Sequence, residues 1–145
     1  MPKKIVICGS IDFTEKFKEI SDELVKKGFE VILPVTSEDL LQGKVTQTQL
    51  LEEANSLEGY KRKIQGNVIK DYFDKIADSY AVLVVNIAKK GVEGYIGGNT
   101  FLEMGFAHVL GKPIFVYNEL PIMAYTDELK ALKTEVIYED LERIK

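Results

Sequence analysis

One cysteine and one histidine are all that this 145-residue chain holds of those types, and their scarcity removes several chemistries at once. Cys8 alone builds neither a disulfide framework nor a cysteine metal site, and it lies inside an apolar run. With His108 as the sole histidine, no metal cluster and no Ser-His-Asp set assembles. Positive charge is also in short supply: 19 Lys and Arg against 23 Asp and Glu leave a net charge of −4. That argues against a polyanion-binding protein, because phosphate backbones are bound by clustered basic side chains. A single small anion needs only a local site and stays open. The apolar runs are strand-sized, and no transmembrane helix, signal peptide or prenylation motif is visible. Neither a membrane nor a nucleic acid polymer is an expected partner, and a reducing cytoplasm is the expected location. Repeats, low-complexity segments and linkers are absent as well, so residues 1–145 read as a single domain.

What is present is an ordinary globular composition, 46% apolar and 29% charged. Lys4-Ile5-Val6-Ile7-Cys8 reads as a buried strand ended by Gly9-Ser10. Phe13, Phe17, Ile20, Leu24 and Val25 carry helical spacing over residues 12–27, and Gly28 is the stop. Glu30-Val31-Ile32-Leu33 is a second strand, so the chain opens as a parallel strand–helix–strand unit with a right-handed crossover. Residues 36–66 are an expected insertion or lid over one sheet edge, with short helices near residues 37–41 and 46–57 and a basic patch at Tyr60-Lys61-Arg62-Lys63. Helical spacing returns from Ile64 to Ile76. Residues 81–86 form the clearest strand, a continuous apolar run of the kind covered on both faces. A Gly-rich loop (88–98), a helix from about Thr100 to Leu110, a strand at 113–117, a helix at 126–132 and a strand at 135–138 complete the pattern. The expected fold is a flavodoxin- or Rossmann-like doubly wound α/β sheet of about five parallel strands, order 2-1-3-4-5. Ligands in such sheets bind beyond the carboxyl ends of the strands where the order reverses, here between the first and third strands.

Two loops flank that point. Cys8-Gly9-Ser10-Ile11 ends the first strand, and residues 86–100 follow the third. Gly97-Gly98-Asn99-Thr100 leads into a helix, where glycine backbone and free N–H groups suit a phosphate or carboxylate, or form a plain turn with a cap. Ser10 can add a hydroxyl to the same anion or cap the first helix. Asn86 and Asn118, at the tips of the third and fourth strands, can face a ligand or close turns. Glu103 is the sharpest candidate. Its helix is apolar nearly all round and therefore expected to be buried, where a carboxylate is costly unless partnered or used. Two roles compete for it: chemistry at the crevice, or the far half of a Thr100-x-x-Glu103 capping box. Asp71, on the preceding helix, can project over the site or into solvent. Asp78 lies at the amino end of the third strand, away from the crevice. His108 sits on another face of its helix from Glu103.

With these residues in view, the sequence resembles the nucleoside 2-deoxyribosyltransferase superfamily over most of its length. The resemblance is carried by Cys8-Gly9-Ser10-Ile11, by Ala77-Asp78 leading into residues 81–86, by Tyr95-Ile96-Gly97-Gly98-Asn99-Thr100-Phe101-Leu102-Glu103-Met104-Gly105-Phe106-Ala107, and by Gly111-Lys112-Pro113-Ile114. It implies cleavage of the N-glycosidic bond of a 2′-deoxynucleoside or its 5′-monophosphate, with no cofactor or metal. Glu103 matches the carboxylate that attacks C1′ and forms a glycosyl-enzyme, resolved by a new base or by water. Gly9, Ser10 and Ile11 match the loop that holds the sugar or 5′-phosphate. Asp71 is the nearest match to a second carboxylate that assists the leaving base, across a one-residue gap. A homodimer or larger assembly is also implied.

The chain departs from the transferase pattern Asp-x-Gly-Thr-x-x-Glu. Gly97 and Asn99 stand in that neighbourhood, no acid does, and the third strand ends in Asn86. Proton transfer to the leaving base is left without an assigned residue, which favours hydrolysis over base exchange. Base exchange and a non-catalytic nucleotide-binding module are the alternatives. Lysine-decarboxylase-like cytokinin-activating phosphoribohydrolases share a Gly-Gly-x-Gly-Thr-x-x-Glu string, but this chain lacks the second Gly of that motif and the paired Arg that accompanies it.

Overall fold

The computed structural model describes residues 1–56 and 67–145. The basic patch at 60–63, Gly59 and the start of the helical pattern at Ile64 lie outside the described residues. In chain order the elements are β1 (Lys4–Cys8), α1 (Thr14–Lys26), β2 (Glu30–Ile32), α2 (Val35–Leu41), α3 (Gln47–Asn55), α4 (Val68–Ala77), β3 (Ala81–Val84), α5 (Gly98–Val109), β4 (Ile114–Val116), α6 (Thr126–Ala131) and β5 (Glu135–Val136). Short 3-10 turns at Ile11–Phe13 and Leu141–Arg143 accompany them.

The five strands form one sheet of order β2-β1-β3-β4-β5, parallel at every pairing. It is the doubly wound α/β arrangement expected from the alternation of elements. The order reverses between β1 and β3, where Cys8 lies opposite Val84 at the carboxyl ends.

Strand side chains alternate between two cores. Ile5, Ile7, Ala81, Leu83 and Phe115 pack with Phe17, Ile20 and Leu24 of α1 and with Leu141 and Ile144 of the C-terminal turn. Val6, Cys8, Val82, Val84 and Val116 pack on the other face with Tyr72 and Ile76 of α4, Met104 and Ala107 of α5, and Leu129 of α6. All four β3 residues are fully buried, as a central parallel strand requires.

Three local features differ from the sequence expectation. The first helix opens with a 3-10 turn before α1 starts at Thr14, and Val25, counted in its apolar face, is 56% exposed. Gly28, at φ +94°, ends that helix in the left-handed region that glycine enters without strain. In the 36–66 stretch, α3 ends at Asn55, and Thr46 and Gln49 form the capping box at its start. The third difference concerns α5, which is not buried all round. Thr100, Met104 and Ala107 face the sheet, while Leu102 and Val109 are exposed. Its hydrophobicity covers two faces, one on the sheet and one outward, where Phe106 meets Phe73 of α4 edge-on at 5.2 Å.

Candidate functional site

The β1 tip, the loop after β3 and the start of α5 converge at the switch point. α5 begins at Gly98, two residues earlier than the apolar pattern indicates, with Gly97 as its N-cap in extended backbone (φ −84°, ψ 177°). The Gly97 carbonyl accepts the Phe101 N–H at 2.9 Å. Thr100 is therefore the third residue of the helix, buried at 3% exposure, and not its cap. The Thr100-x-x-Glu103 capping box is absent, and Glu103 sits beyond the first turn. Glycine at the cap position carries no side chain to close the first amides, which is why the helix starts here without the usual polar cap. Gly98 and Asn99 are exposed, and a Cβ at Gly98 would meet nothing within 4 Å.

Glu103 is partly buried on the second turn of α5, close enough for its carboxylate to act on the Cys8 thiol at the tip of β1. Burial, foremost, and the adjacent Glu103 charge push the Cys8 thiol well above its ordinary range. Cys8 thus stays a thiol and is not a thiolate nucleophile. Tyr72, from α4, reaches the same tip: its buried hydroxyl donates to the Ile7 carbonyl. Burial raises the Tyr72 hydroxyl most, followed by the acidic neighbours Cys8, Glu103, Glu38 and Asp71. Asp71 itself is held by Lys75 at 3.0 Å, with its side chain 46% exposed.

The glycines of the two loops have different causes. A Cβ on Gly9 would lie 2.8 Å from the Val85 carbonyl oxygen and 3.0 Å from the Phe17 ring, so packing alone demands glycine there. Ser10 accepts from the Asp12 N–H at 3.3 Å and from the Lys89 ammonium at 2.7 Å. Lys89 also pairs with Asp12 at 2.9 Å and lies 5.3 Å from the Tyr95 ring centroid. The loop after β3 is in this way strapped to the loop after β1. Ile11 is half-buried, and its carbonyl accepts the Thr14 hydroxyl at 2.5 Å.

Asn86 does not offer its side chain to the crevice. It is fully buried, its Nδ2 donates to the carbonyls of Asn118 and Glu119 at 3.0 Å, and its Oδ1 accepts the Asn118 N–H at 2.8 Å. The Asn118 side chain donates back to the Asn86 carbonyl at 3.2 Å. The two asparagines clasp the tips of β3 and β4. Asp78 caps the end of α4 and pairs with Lys4 at 2.7 Å, at the opposite end of the sheet from the crevice. His108 is exposed in the last turn of α5.

Compared with known proteins, the chain matches no family model and no curated relative.

The structure thus brings Cys8, Ser10, Gly97 and Gly98 to the ends of neighbouring elements, with Glu103 a turn into α5, and adds Tyr72, Asp12 and Lys89. Those three carry no sequence signal of their own. Tyr72 reads as one more apolar position of a helix, and Lys89 as a loop charge. Among the described residues no cluster of His, Cys, Asp or Glu could hold a metal ion, and no helix is long and apolar enough to cross a membrane. A groove of about 460 Å³ lies elsewhere, between α2 and α3, lined by Asp39, Lys44, Gln49 and Glu52 among others. It is remote in sequence from both crevice loops and shares no residue with them.

Proposed function

We propose that the chain is an N-glycosidase acting on a deoxynucleoside or its 5′-monophosphate, with Glu103 as the nucleophile. One observation carries the reading: Glu103 is a half-buried carboxylate on α5 beside the switch point, and it is not half of a Thr100 capping box, because α5 starts at Gly98 with Gly97 as its N-cap. In the first step a Glu103 oxygen bonds to C1′ and the C1′–N bond breaks, its electron pair leaving with the base, which takes a proton. In the second, water attacks C1′, the C1′–O(Glu103) bond breaks, and free sugar, a proton and the carboxylate are released. Two inversions give net retention. The Ser10–Lys89 pair supports a polar or anionic group on the sugar's 5′ side, and the uncapped start of α5 supports a second approach of backbone N–H groups. Asp71 remains the proposed second carboxylate, though its partner in the structure is Lys75. A homodimer or larger assembly belongs to this reading, and exposed Leu102 and Val109 supply an apolar face for it.

Base release from a panel of nucleosides and monophosphates, with and without a free acceptor base, tests the reading. Release without acceptor is the expected result, and Glu103→Gln lowers it by about a thousandfold or more. Turnover only with acceptor identifies a base-exchange enzyme. Nucleotide binding with no base release under either condition leaves a binding module and removes the glycosidase reading.

A further inference from the structure

Both loops at the crevice are held in shape without the ion pair that joins them. In the loop after β3, Lys89 and Val92 exchange backbone hydrogen bonds at 3.1 and 2.9 Å around Lys90 and Gly91, at φ +53° and +76°, the backbone of a tight two-residue hairpin turn. The Tyr95 N–H closes this arm on the Ile87 carbonyl at 3.0 Å. Gly94 packs so tightly beneath it that a Cβ there would lie 2.5 Å from the Glu119 carbonyl oxygen. In the loop after β1, the Phe13 N–H donates to the Ser10 carbonyl at 2.9 Å, and the Thr14 and Ser37 hydroxyls meet at 2.9 Å. Backbone and buried side chains thus set both shapes, and the Lys89–Asp12 pair opens at small cost.

The two partners of that pair are unlike. The Lys89 side chain is 23% exposed and that of Asp12 57%, so the ammonium is built into the crevice wall while the carboxylate reaches it from the solvent side. Ser10 Oγ accepts twice, from Lys89 Nζ at 2.7 Å and from the Asp12 N–H at 3.3 Å, and its own hydroxyl hydrogen has no acceptor among the described residues. An ammonium and a hydroxyl donor therefore stand side by side, and the anion now on the ammonium is the chain's own.

We propose that the Asp12 carboxylate holds the place of a ligand's phosphate at Lys89 and Ser10 and is displaced when a phosphate monoester binds, so that the site selects doubly charged groups over singly charged ones. This rests on the reading of the Ser10–Lys89 pair as the anion side of the crevice and not on the chemistry of Glu103. A carboxylate tethered this close competes at an effective concentration in the millimolar range. A free carboxylate brings the same charge and the same two oxygens, so it does not displace Asp12 below that concentration. A phosphate monoester carries nearly two charges at neutral pH and three acceptor oxygens. It takes the ammonium from Asp12 and the Ser10 hydroxyl hydrogen as well, and Asp12, on an exposed turn, moves into water.

NMR titration of the full chain with inorganic phosphate at fixed ionic strength tests this, with acetate as the singly charged probe. The wild type is expected to bind phosphate about tenfold or more tightly than acetate, the scale of one added charge-assisted hydrogen bond. Asp12→Asn keeps the size and the backbone N–H but removes the competitor, and phosphate affinity rises by about fivefold or more, the scale of one partly exposed ion pair. In a Lys89→Met background the same substitution changes affinity by less than about twofold, because the competition needs the ammonium. An equal rise with and without Lys89 would mean that Asp12 acts only through its distant charge, and overturns the proposal. So does an unchanged or lower phosphate affinity in Asp12→Asn, or equal affinity of the wild type for phosphate and acetate. Loss of the fold in Asp12→Asn overturns it too, since the pair would then be holding the loops. Phosphate binding as expected, with no base release from any nucleotide, counts against the glycosidase reading alone.

Discussion

The Lys89 ammonium, in the loop after β3, donates to the Ser10 hydroxyl at the tip of β1 at 2.7 Å. Two residues from opposite parts of the chain thus share one polar contact at the place where the strand order reverses. The contact links the sheet's topology to its crevice: β1 and β3 must be neighbours, and the loop after β3 must fold back toward the tip of β1. Both conditions follow from the parallel, doubly wound order.

Asn86 is predicted to be a stability residue and not a ligand. Asn86→Asp keeps an acceptor for the Asn118 N–H but sets an oxygen against the carbonyls of Asn118 and Glu119, each now 3.0 Å from the amide nitrogen. Buried unsatisfied or opposed polar groups cost about 1–3 kcal/mol each, so urea unfolding should show a loss of roughly 3 kcal/mol. A loss below about 0.5 kcal/mol, the range of ordinary surface changes, would show that the clasp contributes little.

Gly9 and Gly98 are predicted to respond in opposite ways to alanine. At Gly9 the new methyl meets a backbone carbonyl and an aromatic ring, and overpacking of this kind costs about 1–3 kcal/mol. At Gly98 the methyl enters open space in the first turn of a helix, and stability should rise by about 0.4–1 kcal/mol. If the start of α5 receives the substrate, Gly98→Ala also weakens substrate binding. Denaturant melts paired with KM values separate the two effects, and a Gly98→Ala protein that is more stable with unchanged KM removes Gly98 from the site.

These two glycines show where the sequence is legible and where it is not. Strand order, the alternation of elements and the location of the crevice were readable, because hydrophobic periodicity and topology rules determine them. The start of α5 is not legible, because Gly97 and Gly98 carry no side chain to signal a helix boundary and the apolar pattern begins only at Thr100. That offset of two residues is why Thr100-x-x-Glu103 has the pattern of a capping box without being one. The Ser10–Lys89 contact is unreadable for a different reason: periodicity places both residues near one crevice but cannot say which side chains meet. Asn86 and Asn118 were correctly placed at strand tips, yet only the hydrogen-bond geometry shows that they satisfy each other's strands.

Lys89 is predicted to matter to ligands more than to folding. Its partner Asp12 has a side chain 57% exposed, and exposed ion pairs contribute about 0–1 kcal/mol, so Lys89→Met should melt close to the wild type. Under the proposed function, kcat/KM for a nucleoside 5′-monophosphate falls by about tenfold or more, the scale of one charge-assisted hydrogen bond, while that for the uncharged nucleoside is nearly constant. Equal losses for both substrates would mean that Lys89 only secures the loop.

The Lys4–Asp78 pair predicts a pH dependence away from the crevice. The hydrogen bond from Lys4, and then its charge, hold the Asp78 carboxyl below its ordinary 3.8. Such a group stabilises the fold above its unfolded-state value, and that contribution is lost as pH falls through the folded one. Lys4 is raised above 10.5 by the same partner, so its share is complete below that value and fades as pH climbs past it. Melting temperatures of wild type and Asp78→Asn should differ near neutrality and converge in acid. A gap that does not narrow below about pH 4, the ordinary carboxylate range, would show that the bridge is not the cause.

The strap of Lys89 across to Ser10 and Asp12, together with the pairing of Cys8 opposite Val84, has a consequence for how the molecule is made. Everything between β1 and β3, including α1, β2, α2, α3 and α4, must be accommodated before those two tips can meet. Contacts of such long sequence separation carry a large loop-closure cost and form slowly. A chain emerging from the ribosome therefore completes its crevice only after α5 has been synthesised and docked. Cleavage or binding at this site would report on the finished fold, and no amino-terminal fragment ending before Glu103 would contain both halves of it.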